Sequence, residues 1–533
     1  MFKANLIPLF WLLFISINSF SQQTIFSNSI TGNDSTGDGS SGSPFKTFHK
    51  AYTNASSGDY IDLTGTFTWT DADEIGDVTV NGYVIDKNII IQGQGAGVTI
   101  IQADPTENNA DRMVFSATAS NLFTSLSLSK LTIRNGVSTE DDKTSGGVLI
   151  ETTTDNYNFQ LSISECSFEK NRINSFPSSN SFSGGALSFS GYAYGSLNIE
   201  KTTFKDNYAY VRSYGVGALY INQSVNAVIK ECTFQNNVGV SNYSNTYYGS
   251  SGAIYAYRNG NIKITNSTFV NNSSDGNVGA ILLYQNTASL TNNTIVSNTV
   301  SSSSGLVGGI NLENMSNTYL KNNIIANNTV NGVSKDFLKS SGSVTSNGYN
   351  IIESSNGYTF NSTGDITGNQ SSLFGTGISS TPSLENNSTS YGTQTLALST
   401  GSIAINNGEN SINNTVVIPV NDQRGISRIG LVDIGSFEFN ISNNSPTNIS
   451  LSSSSLNENV ATGTTIGALS TTDSDSGDTH TYTLVSGTGD TDNASFTISG
   501  ANLLTNTALD YETKNSYSIV VQTSDGTATY SKT

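Results

Sequence analysis

Two short motifs alternate through the middle of the chain and limit its fold more than any other feature. The first is an aromatic residue or Ile followed three positions later by Asn: Phe168 and Asn171, Phe204 and Asn207, Phe234 and Asn237, Phe269 and Asn272, Ile295 and Asn298, Ile325 and Asn328. The second is Gly followed by a small or aliphatic pair, beginning at Gly147, Gly185, Gly217, Gly252, Gly279 and Gly309. Each repeat holds one of each, and the first motif recurs at spacings of 36, 30, 35, 26 and 30 residues. A period of this size marks a stack of supersecondary units. Between the motifs run short segments of period two, such as Leu161-Ser162-Ile163, Leu197-Asn198-Ile199 and Ile262-Lys263-Ile264, which read as strands. Length variation gathers after the Asn, as in residues 238–251, whereas the Gly-to-Phe interval is nearly constant.

A coil of short strands closed by unequal loops on one side has these properties, because stacked repeats touch only their neighbours. The chain is therefore expected to be all-β, with a right-handed parallel β-helix as its main body. Phe and Ile would pile into inward ladders. Asn would pile up at the bends, its side chain bonding the next coil's backbone. A helical repeat is excluded, since Gly, Asn, Ser and Thr are weak helix formers and no 3.6-residue apolar period appears. The register also decides the state of Cys166 and Cys232, the only cysteines. Each lies two residues before its coil's Phe, with Thr202 in the same column between them. Two coils at about 4.8 Å each put their Cα atoms roughly 10 Å apart, beyond the about 7 Å that a disulfide spans. Both are expected as buried free thiols.

Composition excludes several classes of function. Of 533 residues only 12% are charged, and 41 acids against 23 bases leave a formal net charge of −18. A chain so acidic, with no basic run, is a poor binder of nucleic acid or anionic membrane. Two histidines and two cysteines leave almost no raw material for a zinc cluster or a Ser-His-Asp triad. The N-terminus reads as a signal peptide: Lys3, an apolar stretch over 6–15, and small Ser19 and Ser21 before a cut at Gln22. No other stretch approaches the about 18 apolar residues of a membrane span. The expected location is extracellular or the outer cell surface.

The paired Gly-Gly-Ala-[Ile/Leu] and Phe-x-x-Asn motifs resemble the repeats of bacterial polymorphic outer-membrane proteins, carried on a pectate-lyase-like β-helix. Residues 32–63 are similar to the opening of such helices, in which a short amphipathic helix (Phe45, Phe48 and Tyr52 inward) caps the tube before a first coil at 88–93. Residues 396–408 and 422–438, with Asp422, Arg424, Arg428 and Asp433, resemble the closing segment called choice-of-anchor Q. An Asp/Arg cluster there suits the bonding of orphan backbone groups better than catalysis by Arg424. From Pro446 the chain resembles a bacterial cadherin-like domain, a Greek-key β-sandwich, through 456–459, 472–477, 509–512 and 520–526. The chain is expected to end before that domain's last strand, as a fragment of a longer protein. The resulting division is a signal peptide (1–21), an N-terminal cap with the first coils (22–87), β-helix repeats (88–380), a C-terminal cap of the β-helix (381–440), a linker (441–446) and an incomplete cadherin-like domain (447–533).

The cadherin resemblance implies Ca²⁺ at two acidic sets: Asp473, Asp475 and Asp525 towards the preceding linker, and Glu458, Asp510 and Glu512 towards a following domain. Ca²⁺ needs six to eight hard oxygens, hence carboxylates from separate loops. The linker, Asn440 to Pro446, lacks the family's aspartates. In the β-helix no family hydrolase motif is visible. Asp141, Asp142 and Asp206 are isolated, and Glu165, Lys201 and Glu231 read as a salt-bridged ladder on neighbouring coils. Residues 93–97 are no dinucleotide loop, because a strand follows, and His49 and His480 read as surface or cap residues. The leading expectation is a non-catalytic protein for calcium-dependent adhesion or surface binding, with an extracellular polysaccharide or a cell-surface protein as partner, a second copy included. The alternative is a polysaccharide lyase or glycoside hydrolase, with a lyase site built on Lys201, Lys205 and Arg212.

Overall fold

A computed structural model describes residues 22–74, 78–106, 112–139, 144–152, 158–175, 182–191, 195–241, 250–258, 260–368, 373–374, 384–386, 393–410, 416–439, 444–473 and 479–533. The proposed leader, Asp141, Asp142 and Asp475 lie outside the described residues. The chain divides into two compact units after Phe439.

One coil of the first unit serves as the pattern. Strands Gly195–Glu200, Thr203–Lys205, Tyr208–Val211 and Leu219–Ile221 follow one another around it. Each pairs in parallel with its counterpart one coil on: Val225–Lys230, Thr233–Gln235, Val238–Ser241 and Ile254–Tyr257. Repetition builds four sheets of 11, 11, 8 and 10 strands. This is a parallel β-helix. Along the first sheet Leu197 and Ile199 are buried while Ser196 and Asn198 face out, the alternation expected of a half-buried strand.

Both predicted ladders are present. Phe168, Phe204, Phe234, Phe269, Ile295 and Ile325 are in register and fully buried. The four Phe rings stack nearly parallel at 5.1, 4.6 and 4.6 Å between centroids. Asn171, Asn207, Asn237, Asn272, Asn298 and Asn328 are buried at the following bend. Each Asn from 171 to 298 gives its backbone N–H and its Nδ2 to the next rung's Oδ1. The residue just before each, from Lys170 to Asn327, sits at φ 54–56°. The bend thus needs a left-handed residue on every coil, which Asn tolerates better than most. The Gly motif has a different cause: a Cβ on Gly217 or Gly252 would lie 2.1 or 2.0 Å from the next coil's carbonyl oxygen. At its ends this column runs through Gly146 and Gly308, one residue before the expected Gly147 and Gly309.

A second asparagine ladder was not anticipated. Asn293, Asn323 and Asn350 repeat the arrangement at the bend after the first sheet. Both ladders end on a carboxylate: Asp336 accepts from Asn328, and Asp365 from Asn350.

At the N-terminus helix Phe48–Asn54 buries Phe48, Ala51 and Tyr52, as its pattern requires. Thr47 caps it, and Glu74 accepts the N–H groups of Phe48 and His49. The first coils lie within residues 22–87, ahead of the coil at 88–93. Thr24–Asn28 already pairs with Tyr60–Thr64, and Ile89–Gln92 is the third strand of that sheet. The helix is spliced between the first two rungs instead of preceding them.

The segment expected to close the tube lies along its flank. Leu396, Leu398, Ala404, Ile434 and Phe437 pack on the outward side chains Val270, Val296, Ile324 and Ala326 of successive coils. Gln423 reaches the carbonyl oxygen of Cys232 and the hydroxyls of Thr233 and Thr268. The Asp/Arg cluster bonds backbone as anticipated. Arg428 donates to the carbonyls of Asp433 and Gly435 and to Glu438, and Asp422 accepts from the N–H of Arg424, Ile426 and Glu438. Arg424 lies 3.6 Å over the Phe437 ring.

The second unit packs two antiparallel sheets around Ile449, Leu469 and Val521. One holds Asn448–Leu451, Thr465–Thr472, Phe496–Ser499 and Asn502–Thr505, the other Thr481–Leu484, Val521–Ser524 and Thr529–Lys532. Thr529–Lys532 pairs with Val521–Ser524, and Lys532 Nζ holds it to Asn448 Oδ1 and the Ile449 carbonyl.

Candidate functional site

The second unit brings three of the six predicted acids together. Glu458 lies in the irregular segment after the first strand, and Asp510 and Glu512 in the loop after Asn502–Thr505. One carboxylate oxygen from each lies within 4.8 Å of the others, and all three side chains are exposed. The loop holds Asp510 still. Its Oδ1 accepts the N–H of Glu512 and Thr513 at 3.1 and 3.3 Å, and its Oδ2 accepts Thr513 Oγ1 at 2.8 Å. The Thr513 hydroxyl, helped by these N–H groups, holds the Asp510 carboxyl below its ordinary range. Glu458 Oε2 accepts the Tyr511 N–H at 3.1 Å, which ties the two segments together. Lys514 pairs instead with Asp492. Converging carboxylates of this kind offer hard oxygens to a divalent cation.

The other predicted set is not assembled in the same way. Asp473 is buried against His480 at 3.2 Å, and Asp525 Oδ1 accepts the N–H of Thr527 and Ala528. Thr471 and Thr523, two residues before each acid, share a hydroxyl contact of 2.8 Å. Among the described residues neither acid joins a cluster of three metal-ligating side chains. His480 is thus the partner of Asp473, and His49, on the cap helix, meets Tyr83 Oη at 3.0 Å.

In the β-helix the lyase candidates are distributed around one coil. Lys201 is at the left-handed bend after the first sheet, Lys205 ends a strand of the next, and Arg212 follows the third strand. Glu231 pairs with Lys230 at 3.0 Å, and Lys230 also reaches Glu200 at 3.4 Å, so ion pairs do run between these bends. Asp206 accepts from Asn236 Nδ2. Cys166 and Cys232 are free and buried, in the column read from the repeat, and burial pushes both thiols up to about 12.

One surface was missed from sequence. On the outer face of the ten-stranded sheet, Tyr257 stacks on Tyr284 at 5.4 Å, and Glu313 follows in the same column. Phe182 stacks on Tyr214 at 4.0 Å and lies 4.9 Å from Tyr257. The period-two pair Tyr255 and Tyr257 was the available signal.

The comparisons with known proteins bear on each unit separately. Residues 452–533 match the cadherin domain. That stretch carries the Glu458, Asp510 and Glu512 cluster, so the acids belong to the cadherin domain and not to the solenoid. Among solved structures the chain is similar to pectate lyase Pel9A, with 15% identity over 79% of this chain and 97% of that one and a TM-score of 0.34. It is also similar to the GH136 lacto-N-biosidase from Eubacterium ramulus (11% identity, 61% and 67% covered, TM-score 0.28). A rhamnogalacturonan lyase shares 11% identity over 61% of this chain and 82% of its own, with a TM-score of 0.20. No curated protein matches. No helix among the described residues is long and apolar enough to cross a membrane.

Proposed function

We propose that this is an extracellular surface-binding protein, a β-helical body followed by a calcium-stiffened cadherin domain, that attaches to a polysaccharide or to a cell-surface protein without chemical turnover. The observation that carries the reading is the convergence of Glu458, Asp510 and Glu512 from two separate loops. Like charges brought this close repel one another, and a bound Ca²⁺ would turn that cost into a cross-link between the loops. The signal-peptide pattern of the N-terminus and the location of the acids within the cadherin match support the same reading. Asp473, Asp475 and Asp525 are proposed as a second, weaker set.

Thermal unfolding of the cadherin unit with and without calcium tests it. Free Ca²⁺ at a hundred times its Kd should add about 2.7 kcal/mol by mass action, and Asp510→Ala with Glu512→Ala should abolish the gain. A melting temperature unchanged between micromolar and millimolar calcium would refute the site. Release of unsaturated products or reducing ends from acidic polysaccharides would replace the binding reading with the lyase or hydrolase one.

A further inference from the structure

The aromatic face of the solenoid has features that packing alone does not call for. Its inner part, Tyr220 and Tyr255, is buried beneath Phe182 and Tyr214 and forms a satellite core with Val216, Val278, Leu282 and Val307. Its outer part stays partly open. Tyr214, Phe182, Tyr257 and Tyr284 form a continuous run of rings at 4.0, 4.9 and 5.4 Å between successive centroids. The four rings come from four successive coils, in the order Phe182, Tyr214, Tyr257 and Tyr284, so the patch extends along the solenoid axis although the ring contacts double back at Phe182.

Two ionic groups sit on this run. Arg258 lies 4.6 Å over the Tyr257 ring, and its Nε is buried without a hydrogen-bond partner among the described residues. Glu313 continues the Tyr257 and Tyr284 column by one coil. It is half-buried, and burial raises its carboxyl above the ordinary range. Polar groups part-desolvated beside open rings cost stability unless something else meets them.

We propose that the run Tyr214, Phe182, Tyr257 and Tyr284, bounded by Arg258 and Glu313, is a platform for a neutral polysaccharide chain lying along the solenoid. A sugar ring has an apolar C–H face that suits an aromatic face and a rim of hydroxyls that both donate and accept. Glu313 can accept from that rim and Arg258 can donate to it, and their opposite charges match an uncharged ligand. A protein partner fits less well. Four rings already partly buried leave at most a few hundred Å² of apolar surface, against about 800 Å² per partner in a stable protein interface. The proposal rests on the surface-binding reading of the solenoid and is independent of the cation site.

Affinity electrophoresis of the full chain tests it, in native gels containing laminarin, galactomannan or hydroxyethyl cellulose, each run with and without EDTA. The expected result is retardation in at least one neutral gel, unchanged by EDTA. Tyr257→Ala with Tyr284→Ala should weaken the apparent affinity about tenfold or more, while Tyr257→Phe with Tyr284→Phe, which keeps the stacking faces, should stay within about threefold. Glu313→Gln should weaken it by a smaller factor. Unaltered mobility in all three gels, retardation only in polygalacturonate, or retardation that survives the double Ala variant would each overturn the proposal. Retardation that disappears with EDTA would overturn its independence of calcium, whereas a cadherin unit that ignores calcium would refute the cation reading and leave this one standing.

Discussion

Replacing Asn272 with Ala removes one rung from the middle of the first asparagine ladder. Asn272 is fully buried. Its Oδ1 accepts the N–H and the Nδ2 of Asn237 at 3.1 and 2.9 Å, and its Nδ2 donates to the Phe234 carbonyl and to Asn298 Oδ1 at 2.9 Å each. Alanine deletes all four bonds and opens no path for water, so two buried donors on Asn237 lose their acceptor. At about 1–3 kcal/mol per orphaned group the loss is about 2–6 kcal/mol. The backbone bend adds little to this figure, because the left-handed residue is Asn271 and is untouched. Urea denaturation followed by circular dichroism of the β signal measures the change as a lowered midpoint. Asn272→Asp keeps the acceptor but turns its second oxygen towards the Phe234 carbonyl and Asn298 Oδ1, so it should also destabilise. A loss under about 1 kcal/mol for the Ala variant would mean that the ladder follows from the coil stacking and does not hold it.

The ladder's end should behave in the opposite way. Burial pushes the Asp336 carboxyl from 3.8 up to about 6, with Glu353 adding to the rise, against hydrogen bonds from Asn328 and Ser354. The folded state therefore favours the protonated form. The carboxyl costs nothing below about pH 4 and its full penalty above about pH 6, at most about 3 kcal/mol at about 1.4 kcal/mol per pH unit. Asp336→Asn extends the ladder by one neutral rung, so it should raise the urea midpoint at pH 8 and leave it unchanged at pH 4; a lowered midpoint at pH 8 would show that the hydrogen bonds to the carboxylate outweigh its burial. Thiol titration should find two reactive groups per chain in denaturant without reductant and none in the native protein, since both thiols are buried and pushed up to about 12. A disulfide would break the coil register.

What the amino-acid sequence determined here is what stacking repeats identically on every coil. The Phe ladder, the Asn ladder, the Gly column and the two unpaired cysteines were readable because each needs the same side chain at the same point of successive coils. The acids of the cadherin domain were readable for another reason, as short motifs in a fixed order whose family resemblance already set Glu458, Asp510 and Glu512 apart from Asp473 and Asp525; the fold added the approach of the first three to within 4.8 Å of one another. The second Asn ladder escaped notice because Cys166, Thr202, Cys232 and Ser267 hold its column in the earlier coils, so the residue type changes along the column while the geometry does not. Tertiary structure alone laid the closing segment on the outward Val270, Val296, Ile324 and Ala326, and assembled Phe182, Tyr214, Tyr257, Tyr284 and Glu313 into one strip. Coils of unequal length scatter those residues irregularly through the chain, and only the about 4.8 Å pitch of the stack brings them side by side.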